Sequence, residues 1–186
     1  MAYFNCRDVA AISVCAALWG VLNSFFAPLF FRATGLPFLC DSIGFTVLII
    51  AVWWTRKFGA VTAIGLVATG ISFVLNPGGI HFLGFAAASF VFDLLTRFIG
   101  YSNYFGKPIL TILTLLPVSV VSAAFAGYTI GSLFMPSQAL ANWGGALGWA
   151  GLHATGGVIG GAIGVSLVLA FNSRQILKSS VKRGDN

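Results

Sequence analysis

Charge is what this chain has least of: ten Lys and Arg and four acidic residues among 186, or 8% of the total, where a soluble domain carries about 25%. Set beside 58% hydrophobic residues, that scarcity excludes an ordinary soluble domain and points to a polytopic α-helical membrane protein. Cysteine is sparse as well. Cys6, Cys15 and Cys40 show no C-x-x-C spacing. They are too dispersed for an evident disulfide or thiolate cluster and read as small packing residues. Catalytic signatures are missing. There is no G-x-x-x-x-G-K-[ST] loop, no H-E-x-x-H and no G-x-S-x-G, so the chain has no means of its own to energise transport with ATP. No catalytic residue, cofactor or resident metal is expected. No basic helix or aromatic–basic surface suggests nucleic acid. The N-terminus lacks the layout of a cleaved signal peptide, so the first helix is expected to be retained.

Glycine, by contrast, is plentiful, and it is most concentrated from Asn142 to Phe171, which has no formally charged side chain. Gly156, Gly160 and Gly164 repeat every four residues, with Gly157 and Gly161 in a second row beside them. In water each interior glycine costs a helix roughly 1 kcal/mol against alanine. In lipid the backbone must bond internally, and small residues at this spacing let neighbouring helices approach closely. The stretch therefore reads as a membrane helix against which others pack, with His153 part-way along it.

Six such helices are expected, at about 9–31, 36–54, 58–75, 80–99, 108–134 and 143–171, forming one transmembrane domain over 1–171. A polar, basic and frayed tail is expected over 172–186. The second helix starts somewhere between Leu36 and Ser42, which leaves Asp41 either inside the membrane or in a loop over its outer face. Asn76-Pro77-Gly78-Gly79 is a strong turn signal, and Pro117 should bend the fifth helix. An even number of spans puts both termini on one side, together with Arg7, Arg56, Lys57, Arg97, Lys107, Arg174, Lys178, Lys182 and Arg183. Only Arg32 lies opposite. The positive-inside rule makes the nine-residue face, and both termini, cytoplasmic. The expected setting is thus a multi-pass protein of the cell membrane, in contact with the lipid bilayer.

With that orientation, polar and aromatic residues collect on the outer side. The candidate binding residues are Asn23, Asp41, His81, Asn142, Trp143, Trp149 and His153, because ionisable groups in membrane segments are functional candidates by default. Blander roles compete. His81 fits an interfacial residue bonded to the Asn76–Gly79 turn, Asp41 a helix cap, His153 a satisfied packing residue, and the tryptophans interfacial anchors. Near the cytoplasmic end, Asp93 and Arg97 stand four residues apart and read as an intrahelical ion pair, or more sharply as a contact for a partner on that side.

Small residues also recur along the first helix, Ser13 with Ala17 and Ala16 with Gly20. Its stretch Ile12–Phe31, ISVCAALWGVLNSFFAPLFF, is similar to the first helix of the substrate-binding (S) components of energy-coupling factor (ECF) vitamin transporters. The segments Leu36–Asp41 and Asn76–His81 resemble that family more loosely. The resemblance implies capture of a vitamin-like small molecule near the outer face. It also implies delivery through a transmembrane coupling subunit and two cytoplasmic ATPases. Ser13 and Ala17, or Ala16 and Gly20, would contact the coupling subunit, although they depart from the family's strict alanine pattern. Two other readings stay open from the residues alone: an accessory subunit of a membrane complex, and a small metal-ion transporter using Asp41, His81 and His153.

Overall fold

A computed structural model describes residues 3–105 and 107–184, with side chains described through residue 174. The described chain is all-helical. Its helices are α1 (Cys6–Thr34), α2 (Phe38–Thr55), α3 (Ala60–Leu75), α4 (Phe82–Ile99), α5 (Tyr101–Tyr104), α6 (Pro108–Phe134), α7 (Ser137–Ala141) and α8 (Gly145–Gly184). Five of them, α1, α2, α4, α6 and α8, are long and apolar enough to cross a membrane, and α3 is a shorter apolar helix. Large apolar side chains such as Leu66, Val74, Phe98, Ile109, Leu113 and Leu133 point outward from the bundle. A surface of that kind is suited to lipid and not to water.

Helix ends follow local chemistry. At the start of α1 the Asn5 side chain accepts the Asp8 N–H, and the Asp8 carboxylate accepts the Asn5 N–H, each at 2.9 Å. This capping box starts the helix three residues before the expected Val9. Gly35, at φ 72°, ends it. Helix α2 begins at Phe38, between the two starts considered, with Asp41 in its first turn and fully buried. Helix α6 continues through Pro117. The last helix runs on to Gly184 instead of fraying from Asn172. The side chains of Lys178, Lys182 and Arg183, counted on the basic face, lie outside the described part.

The six long helices close into a ring in the order α1, α3, α4, α6, α8, α2 and back to α1. Each contact in that ring carries a glycine. Gly20 lets α1 approach Ala68 and Ile71 of α3, Gly65 faces Ser89 of α4, and Gly84 faces Ile130 of α6. Gly44 of α2 lies under the Trp19 ring of α1. The two rows read on α8 divide their work. Gly156, Gly160 and Gly164 face α2 from Asp41 to Ile49, while Gly157 and Gly161 face Ser119 and its neighbours on α6. Close approach of this kind recovers dispersion contacts in a solvent that offers no hydrophobic drive between helices.

One end of the ring is held by polar contacts. Lys57 pairs with Asp8 at 2.6 Å and donates to the Tyr3 carbonyl at 3.0 Å, and the Arg56 guanidinium lies 5.0 Å from the centre of the Phe105 ring. Trp53 donates to Asn172 at 2.9 Å, so the beginning of the chain and residue 172 of α8 sit at this same end.

Asp93 corrects an expectation. It does not pair with Arg97, which is exposed. Its Oδ2 instead accepts from the Gly59 N–H (2.8 Å), the Thr62 N–H (3.0 Å) and the Thr62 hydroxyl (2.8 Å). Gly59 has no side chain with which to cap α3, so a carboxylate from α4 caps it across the interface, where the helix dipole favours negative charge. Asp93→Ala should therefore cost roughly 2–3 kcal/mol. Arg97→Ala should stay within about 0.5 kcal/mol. Thermal unfolding of the two variants in detergent distinguishes this cap from the intrahelical pair, in which both substitutions would matter alike.

Candidate functional site

At the opposite end of the ring is a cavity of about 340 Å³, within the range of small-molecule sites. Its wall is assembled from helix ends and the turns beside them. Ala27, Pro28, Phe31 and Arg32 come from one face of the last turns of α1, Pro37 and Cys40 from the start of α2, and Asn76 and Gly78 from the turn before α4. His81, Phe82 and Phe85 follow, then Ile130, Phe134 and Met135 from the end of α6, and Trp149 and His153 from α8. Spacings of three and four residues put these side chains on single helix faces. Among the described residues, no acidic side chain lines the wall.

His153 is the deepest polar element. It is 2% exposed, and Asp41, at 0%, stands behind it on α2. Its Nδ1 lies 2.8 Å from Asp41 Oδ2. The approach is off the line of a hydrogen bond, however, and both carboxylate oxygens and both ring nitrogens lack a hydrogen-bond partner among the described residues. The two groups make a close polar contact held by packing. Gly127 of α6 makes room for the histidine and Gly156 of α8 for the aspartate: an added Cβ would stand 2.7 Å from His153 Cβ in the first case and 2.7 Å from Asp41 Cβ in the second. Nδ1 is turned to Asp41, which leaves Nε2 as the polar atom that the imidazole can offer to the cavity. Buried polar atoms without partners are costly, and they are retained where something else engages them.

Aromatic rings enclose this group. Trp149 stands one turn from His153 on α8, with ring centres 5.5 Å apart, and the Phe85 ring is 5.8 Å from the same histidine. Phe31 and Trp143 each meet Trp149 edge-on, at 6.2 and 5.9 Å. His81 lies outside the spanning segments, on the cavity wall, and keeps an accessible surface. Desolvation there, and the neighbouring His153, hold its pKa below that of an ordinary histidine.

Of the residues singled out from the sequence, Trp149, His153 and His81 line the cavity and Asp41 backs it. Trp143 is half-buried and reaches the site only through Trp149. Asn23 is buried away from the wall, and Asn142 is exposed outside it, so neither lines the cavity. Arg32, Asn76 and the four lining phenylalanines were not among the candidates. For Phe31, Arg32, Phe82 and Phe85 the one signal is the helical spacing 27/28/31/32 and 82/85, and for Asn76 it is the turn it opens. The second set of predicted residues also separates. Ala16 and Gly20 are buried, with Gly20 packed on α3, while Ser13 and Ala17 are exposed. Among the described residues no three of His, Cys, Asp and Glu come together as metal ligands. The set Asp41, His81 and His153 is therefore not assembled.

Fold and site together describe an all-helical chain of the multi-pass membrane kind, with a cavity at one end of its bundle. No protein-family model, curated protein or solved structure matches it.

Proposed function

We propose that the protein is a membrane-embedded binding subunit that captures a vitamin-like small molecule at the outer face. In this reading it is the S component of an energy-coupling factor importer. It works with a transmembrane coupling subunit and cytoplasmic ATPases, and α3 serves as the sixth span. The observation that carries the proposal is the cavity itself: apolar and aromatic walls with a few convergent polar groups, the composition of a small-molecule site. The charge distribution is in keeping with this. Arg56, Lys57 and Arg97 end helices at the side away from the cavity, and the positive-inside rule would make that side cytoplasmic. Ser13 and Ala17, exposed on α1, are the small residues that remain available for a coupling subunit.

The test is thermal unfolding of the detergent-purified protein against a panel of vitamins and their precursor rings. One member should raise the melting temperature of the wild type, by about 2.7 kcal/mol of added stability at a hundredfold excess over Kd. Trp149→Ala, which removes a cavity wall, should lose that increase. A panel that leaves the wild type unmoved would count against the proposal.

A further inference from the structure

We propose that the ligand of this cavity is a monocarboxylate with a flat ring or apolar body, its carboxylate held by Arg32 at the mouth and its body directed towards His153. The inference deepens the binding-subunit reading and rests on it. It comes from the charges of the wall. Among the described residues, Arg32 is the one lining residue with a permanent charge, since a guanidinium stays protonated at any working pH. No acidic residue lines the cavity to oppose it among the described residues. Asp41 stands behind His153 and does not line the wall. His81 is on the same wall, where desolvation holds its pKa below that of an ordinary histidine, and its imidazole can offer a hydrogen bond.

One positive charge at the rim matches one negative charge on the ligand. A dianionic phosphate would leave a charge uncompensated beside a mainly apolar wall, which is costly, whereas a carboxylate accepts two parallel bonds from a guanidinium. The interior beyond Arg32 is built of ring faces and edges, with Phe85 and Trp149 around His153 and Phe31 against Trp149. A planar or apolar body fits such walls. The helix dipole accounts for a cation in the last turn of α1. It does not account for that cation standing on the cavity wall.

The experiment uses the full chain purified in detergent. Titration calorimetry compares matched probes: indole-3-acetate with indole-3-acetamide, nicotinate with nicotinamide, and biotin with its carboxamide. At least one carboxylate should bind, and its carboxamide should bind about 10- to 100-fold more weakly. Arg32→Gln should erase that preference and Arg32→Lys should restore part of it, which separates a charge contact from a folding defect. Carboxamides that bind as well as carboxylates, a preference that survives in Arg32→Gln, or no binding by any probe would overturn the inference. The broader reading fails separately. If a neutral or cationic vitamin stabilises the wild type but not Trp149→Ala, the binding subunit stands and only the carboxylate assignment falls.

Discussion

Gly160→Ala should destabilise the protein by about 2–3 kcal/mol, while Gly151→Ala on the same helix should be neutral or stabilising by up to about 1 kcal/mol. A Cβ on Gly160 would stand 2.8 Å from the Ser42 carbonyl oxygen, 2.9 Å from that of Asp41 and 2.9 Å from Ser42 Cα. All three are backbone atoms, which cannot rotate away. The α8–α2 contact would have to open along its length, because Gly156 and Gly164 share the same row. At Gly151 no atom lies within 4 Å of an added Cβ, so only the gain in helix propensity remains. Melting temperatures in one detergent measure the difference. Equal values would mean that the glycine row does not set the approach of the two helices. Opening that seam also moves Asp41 away from His153, so Gly160→Ala should weaken ligand binding even though Gly160 does not line the cavity.

The second large effect concerns the buried pair. Asp41→Ala should cost about 1–3 kcal/mol, because it leaves a buried imidazole nitrogen without its counterpart. His153→Ala adds the loss of its packing against Phe85 and Trp149. The double variant should be markedly less destabilised than the sum of the two, with a coupling of about 1–3 kcal/mol. His81→Ala should fall within about 0.5 kcal/mol of the wild type, as exposed positions do. A double-mutant cycle on thermal or denaturant unfolding reads all of this. Additive losses at Asp41 and His153 would show that the 2.8 Å contact carries no mutual energy.

The sequence was most legible where one helix carries its own signal. The glycine rows of α8 announce two packing faces because four-residue spacing is local, and the turn at Asn76–Gly79 declares itself by composition. His153 and Trp149 stand out against an apolar helix. Long-range partners were illegible. Asp93 stands four residues from Arg97, so a local rule pairs them, but the side chain turns instead to the uncapped start of α3, which only the fold brings near. The rotation of α1 was equally hidden. A helix apolar all round has no periodicity to choose between Ser13/Ala17 and Ala16/Gly20, and packing against α3 made the choice. The lining phenylalanines are four among eighteen, and helical spacing alone does not single them out. Arg32 was read only as a count for membrane orientation, since its place on a cavity wall depends on four other helices. The extension of α8 past Asn172 follows from good helix formers such as Leu177 and Lys178, which a polarity criterion mistakes for a frayed tail.

Native mass spectrometry of the protein, purified in mild detergent and released from it in the spectrometer, tests the central claim most directly. The account predicts an adduct of one organic molecule per chain, lost in Trp149→Ala and His153→Ala but kept in Asn142→Ala, a site outside the cavity. Wild-type protein that carries no such molecule and takes up none from the vitamin panel would contradict it.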